Sequence, residues 1–222
     1  MKISTNLFKL IQRKRHSAGF GVHSPFAFDL ILNTIHTPHS FYIYKENRRK
    51  IKNAKLEKEA DIKYAELLFR LINRFNAKDI LEIGSGFGIN TLYISAHSKK
   101  TTVWSVEKDD EKMEIARRLL KNNSRNIQFS KKLPTDKQGF DATVWDLQLH
   151  PDNWEEILKT LPKNIRTEGF VVINHINKNK QNKAVWEELL KIDRITMSFD
   201  LRSIGIGFFK PSLPKLNYEI SF

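Results

Sequence analysis

Three glycines, Gly84, Gly86 and Gly88, follow Glu82 in the segment LEIGSGFGIN, and a second acidic residue, Glu107, comes 19 residues after the last of them. Glycine lets a backbone take positive φ and come close to a ligand, and a helix starting just beyond presents unpaired N–H groups to electron-rich atoms. A carboxylate at the tip of the next strand can accept from both hydroxyls of a ribose. Further along, Asp146 closes the run FDATVWD, and His175 follows the run GFVVIN. Imidazole titrates near neutral pH, so His175 is a candidate general base. Its structural alternative is a loop histidine bonded to neighbouring backbone; for Asp146 the alternative is a helix cap or a turn contact.

The spacing separates cofactor classes. A dinucleotide loop reads G-x-G-x-x-G, which from Gly84 requires glycine at 89, where this chain has Ile89. A phosphate loop ends in G-K-[ST], which is absent. The pattern is E-x-G-x-G-x-G. It suits S-adenosylmethionine, which has no pyrophosphate to cradle and whose cationic amino end and sulfonium favour a nearby acid.

These residues need strands to end beside one another. Short apolar runs at 79–83, 102–107, 126–129, 140–146 and 169–174 read as buried parallel strands. The segments 89–98, 109–122, 152–161 and 179–192 supply crossover helices, giving five β-then-α units. RITMSFD and SIGIGFFK, separated by Leu201 and Arg202, then form an antiparallel pair. Ahead of the first strand, IKYAELLFRLINRF spaces Ile62, Ala65, Leu68, Phe69, Ile72 and Phe75 as a helical stripe. Residues 1–60 read as a helical N-terminal extension, a lid or substrate-side cap, with amphipathic stretches near 3–15, 25–36 and 42–58. Residues 61–222 read as the core. Ser24 is a candidate N-cap with Pro25 at the first helical position; alternatively His23 or Phe26 lines a substrate pocket.

Composition excludes several classes. The 222 residues contain no cysteine, so disulfides, thiol nucleophiles and Cys-based zinc sites are ruled out. The basic residues Lys9, Arg13, Lys14 and Arg15 interrupt the N-terminal apolar stretch, so no signal peptide is expected. No apolar run reaches the roughly 20 residues that span a bilayer, so a cytoplasmic protein without membrane attachment is expected. The net charge is +13, and residues 1–60 hold twelve Lys or Arg against four Asp or Glu. That is either a solvated basic face or a surface for a polyanion.

In these motifs the chain resembles the class I S-adenosylmethionine-dependent methyltransferases, and more closely bacterial proteins related to small-molecule O-methyltransferases. GFGVHSPFAFDLI (19–31), AELLFRLINRFNAKDILEIGSGFGINTLYIS (65–95) and the region from AVWEELLK to FDLRSIGIGFFK (184–210) carry the closer likeness. The resemblance implies a Rossmann-like α/β fold: a seven-stranded sheet in the order 3-2-1-4-5-7-6 with the last strand antiparallel. It carries over Glu82, Gly84, Gly86, Gly88 and Asn90 as loop contacts and Glu107 as the ribose ligand. With Ser85 and Asp146 these make the expected cofactor set, and Asp146 and His175 the expected catalytic pair. Two departures stand out. Lys131 or Lys132 occupies the place of the acidic residue that holds adenine, leaving backbone or Asp136 for that task. Metal-dependent members use Asp, Asp and Asn where this chain has Asp146, Asn174 and His175, a set too poor in carboxylate to favour a divalent ion, so no metal is expected.

The sequence therefore predicts a methyltransferase acting on a small molecule at oxygen or nitrogen. A second reading is an RNA or polyanion methyltransferase using the basic N-terminal region, disfavoured because WDLQLHPDNW lacks an N-P-P-Y-like tetrapeptide. A third is a cofactor- or partner-binding protein without catalysis.

Overall fold

The computed structural model describes residues 5–121 and 126–222. The predicted helix starting at residue 3 and the one ending at 122 thus have their outermost residues outside the described range.

Three helical segments come first: α1 (Thr5–Ser17), α2 (Pro25–Leu30), prolonged by a π-helical turn over Ile31–Ile35, and α3 (Tyr42–Asn53). Ser24 caps α2 through Ala27 N–H at 3.3 Å, with Pro25 at its first turn. His23 is exposed and Phe26 packs on Phe75 and Phe208. The fourth helix, α4 (Ile62–Phe75), is capped by Asp61, whose Oδ1 accepts from Tyr64 N–H at 3.0 Å, and ends at Asn76 in the left-handed region. Its apolar surface is wider than a single stripe. Tyr64, Leu67, Leu68, Leu71 and Ile72 face the sheet, and Ala65 and Phe69 face α3.

The core then runs β1 (Asp79–Ile83), α5 (Ile89–Ile94), β2 (Thr102–Val106), α6 (Asp110–Leu120), β3 (Asn126–Ser130), β4 (Phe140–Asp146), α7 (Trp154–Asn164), β5 (Ile165–Asn174), α8 (Lys180–Leu190), β6 (Met197–Asp200), β7 (Ile204–Phe208) and β8 (Leu216–Glu219). Side chains alternate across the sheet as strand geometry requires. Ile80, Val144 and Val172 join the cluster under α2 and α4, while Leu81, Trp145 and Ile173 join the cluster under α7 and α8.

The sheet has eight strands in the order β3-β2-β1-β4-β5-β7-β6-β8. The expected seven appear in the expected order, with β7 antiparallel to both neighbours. The eighth, β8, pairs in parallel with β6, which the seven-strand expectation omitted. Arg13 of α1 holds it there: its guanidinium reaches the Asp200 and Glu219 carboxylates and the Ile220 carbonyl at 3.1–3.2 Å. The expectation of five β-then-α units also needs correction, because the chain between β3 and β4 forms no helix. That stretch, residues 131–139, carries Pro134 and Gly139 and has no apolar helical period.

Among the described residues, no helix is long and apolar enough to cross a membrane.

Candidate active site

Parallel pairing aligns the carboxyl ends of the strands. Ile83 lies opposite Val106 and Trp145, and Asp146 opposite Asn174. The order reverses between β1 and β4, and in open α/β sheets that switch point is where ligands bind. A cavity of ≈240 Å³ opens there, walled by Ser85, Gly86 and Asn90 of the glycine loop, by Asp146, Asn174 and His175, and by Tyr64 of α4.

The loop's geometry follows from its glycines. Gly84 has φ of +81°, and a Cβ there would stand 3.0 Å from the Leu149 side chain and 3.2 Å from the Asp146 carbonyl. Gly88 has φ of +77°, and its Cβ would meet that of Ala116 at 2.7 Å, so only glycine lets the loop reach α6. Glu107, just past β2, is buried. Its Oε2 accepts from Gly86 N–H at 2.7 Å and its Oε1 from Asp109 N–H at 3.0 Å, which fastens the loop to the tip of β2. Each carboxylate oxygen retains acceptor capacity.

Glu82, like Glu107, stands outside the lining of the cavity. It is buried and accepts from the Thr91 hydroxyl at 2.6 Å. Burial pushes its pKa up to about 7; the Thr91 and Ser105 hydroxyls oppose that rise, and the negative Glu107 and Asp146 add to it. Gly84 and Gly88 shape the loop without lining the cavity, whereas Ser85, Gly86, Asn90 and Asp146 line it.

Asp146, Asn174 and His175 converge. Asp146 Oδ1 lies 3.2 Å from His175 Nδ1, and Oδ2 accepts from Asn174 Nδ2 at 3.1 Å. The same Oδ1 accepts from the Gln148 and Leu149 N–H groups, so the turn-forming role open to this residue is present together with the pairing. Burial would raise the Asp146 pKa, but the His175, Gln148 and Asn174 contacts outweigh it and hold the carboxyl below its ordinary value. His175, at φ of +65°, is bonded through its ring to a carboxylate and not to backbone. A carboxylate on Nδ1 fixes the tautomer that leaves Nε2 able to take a proton. Lys131 and Asp136 lie elsewhere. Lys131 pairs with Asp110 at 2.6 Å, and Asp136 lines a separate groove with Trp104 and Gln128.

Several residues here escaped the sequence reading. Tyr64 is fully buried with its hydroxyl unpartnered among the described residues, and it lines the cavity; by spacing it is one more member of an apolar helix. Glu59 and Asp61 stand at the mouth. Leu149 lies over Gly84 and Gly86. His150 is buried, with Nδ1 unpartnered among the described residues, and burial, assisted by Lys108, lowers its pKa. The only sequence signal for these last two was their position just after a strand that ends in Asp146.

No family model matches the chain, and no curated protein matches it. Solved structures do. A methyltransferase from Geobacter sulfurreducens is 14% identical over 78% of this chain and 92% of its own, with a TM-score of 0.58. An O-methyltransferase from Bacillus cereus in complex with SAH (S-adenosylhomocysteine) is 16% identical over 77% and 92%, at 0.59. An O-methyltransferase from Streptomyces achromogenes in complex with S-adenosylmethionine is 14% identical over 77% and 90%, at 0.55. By sheet order and by this likeness, the chain has the Rossmann-like α/β fold of the S-adenosylmethionine-dependent methyltransferases.

Proposed function

We propose that this chain is an S-adenosylmethionine-dependent methyltransferase acting on a small molecule at oxygen or nitrogen. The observation that carries the reading is the cavity at the switch point, which sets the glycine loop and the Asp146–His175 pair against one another. The neighbours in complex with SAH and with S-adenosylmethionine support the cofactor assignment.

The residues fit the cofactor's chemistry. Ser85 offers a buried hydroxyl that is unpartnered among the described residues, Gly86 lines the cavity, and Glu107 has acceptor capacity left for a ribose diol. Asn90 and Asp146 complete the part of the set that faces the cavity. When bound, the cofactor supplies a methyl group already activated by its sulfonium, so the protein's work is to hold and orient the acceptor and take its proton. His175 is the base in this reading, and Asp146 orients its ring and stabilises the charge it gains. Glu59 and Asp61 precede α4 at the mouth, so the end of the 1–60 extension contributes to a substrate-side rim through Glu59.

Calorimetry with SAH is the direct test. The wild-type chain should bind, and Glu107→Ala should weaken binding at least about tenfold, the loss of one charge-assisted hydrogen-bonding group. Failure of the folded wild-type chain to bind SAH would remove the basis of the assignment. Methyl transfer from labelled cofactor should then appear in the small-molecule fraction of a cell extract and not in its RNA. Binding without transfer to any fraction would instead favour the non-catalytic reading.

A further inference from the structure

The chain carries 38 Lys or Arg against 25 Asp or Glu, yet the cavity at the switch point has the opposite sign. Its lining, among the described residues, includes Glu59, Asp61 and Asp146 and no Lys or Arg. Among the described residues, neither Glu59 nor Asp61 is in an ion pair with a basic side chain, whereas other exposed carboxylates are, such as Glu188 with Lys191 and Asp152 with Lys108. Asp61 has a structural task as the cap of α4, whereas the Glu59 side chain makes no hydrogen bond or ion pair among the described residues.

Two further groups show that this is a place for a polar ligand. Tyr64, 1% exposed, and Ser85, 3% exposed, both line the cavity, and their buried hydroxyls lack hydrogen-bond partners among the described residues. A buried hydroxyl without a partner is costly, so each is a standing donor and acceptor for something that enters. Burial, reinforced by the negative Asp146, Glu82 and Asp61, raises the Tyr64 pKa, which keeps the hydroxyl protonated and able to donate.

We infer that this cavity accepts its methyl acceptor as a cation, a small molecule bearing a protonated amine, and excludes carboxylate- or phosphate-bearing acceptors. The inference rests on the methyltransferase reading. The cofactor's methionine end carries an ammonium, a carboxylate and a sulfonium, a net single positive charge that Asp146 suffices to balance. Glu59 and Asp61 are then left over at the mouth, and their field opposes entry of an anion. A protonated amine placed among Glu59, Asp61 and the Tyr64 hydroxyl satisfies groups that the fold leaves open.

The test uses the full-length chain, first titrated with SAH and then, loaded with it, probed by calorimetry or ligand-observed NMR with tyramine and 4-hydroxyphenylacetate. These share a phenol ring and differ in the charge of the tail. Tyramine should bind at least about tenfold more tightly. Glu59→Lys, a change at an exposed side chain, should cut that preference severalfold or invert it. Normal SAH binding with equal or stronger binding of the acid would overturn the cation inference and leave the cofactor assignment standing. A preference that Glu59→Lys does not move would also overturn it, since the mouth would then not be the source of selection. Absence of SAH binding would overturn the parent reading instead, and this inference with it.

Discussion

Glu82 shows how far burial alone can move a single residue. Its carboxyl is fully enclosed, and burial pushes its pKa up to about 7 from the ordinary 4.5. A pKa raised on folding favours the protonated form, so this contribution to stability is present in full below about pH 4.5 and disappears as the pH rises through 7. The span corresponds to about 3 kcal/mol. Glu82→Gln keeps an acceptor for Thr91 without the ionisation. Denaturant melts at pH 5 and pH 8 should therefore show the variant losing much less stability than the wild type between the two. At Gly88 the governing effect is steric, because φ of +77° and Ala116 at 2.7 Å both oppose a side chain. Gly88→Ala should cost about 2–4 kcal/mol, read as a lower denaturation midpoint with an unchanged slope. Loss of the base is likewise a residue-scale effect. Once an acceptor is in hand, His175→Ala should lower kcat by about 10²–10⁴ and leave SAH affinity near wild type.

At the scale of elements, the site is assembled by ends meeting ends. Strands β1, β4 and β5 deliver Ser85, Asp146 and His175 to one edge, and α4 delivers Tyr64 from the side. The helix is held at its start by the Asp61 cap, whose removal in Asp61→Ala should cost about 1 kcal/mol and show as faster amide exchange in the first turn of α4. Strand β8 depends on another element, since Arg13 ties it to α1 through Asp200, Glu219 and the Ile220 carbonyl. Arg13→Ala should destabilise by about 1–3 kcal/mol, because the partly buried Asp200 carboxylate loses its partner. Exchange should quicken at residues 216–220 and in α1, and stay slow in β1, β4 and β5. Protection unchanged in β8 would show that its pairing with β6 is sufficient without the arginine.

At the scale of the molecule, the N-terminal residues and the core share their packing. Ala27, Leu30, Ile31 and Ile35 are buried in the cluster that contains Leu68, Phe199 and Phe208. A chain beginning at residue 61 should therefore lose cooperative unfolding, which near-ultraviolet circular dichroism during a thermal scan would report; a sharp transition would mean that residues 61–222 form a self-sufficient unit. Much of this architecture was legible in the order of residues. Short apolar runs and near-3.6 spacing marked the parallel strands and most helices, while E-x-G-x-G-x-G with Glu107 marked the edge at which a cofactor would sit. These are local signals, set by backbone geometry and by which residues tolerate positive φ. What only the tertiary structure decided depends on distant partners. Glu82 turned inward to Thr91, Leu149 came to lie over the glycines, β8 found β6 through Arg13, and Tyr64 left the anonymity of an apolar helix to face the cavity. A side chain's charge, exposure and hydrogen bonds follow from what other segments bring against it, and spacing along one segment carries no record of that.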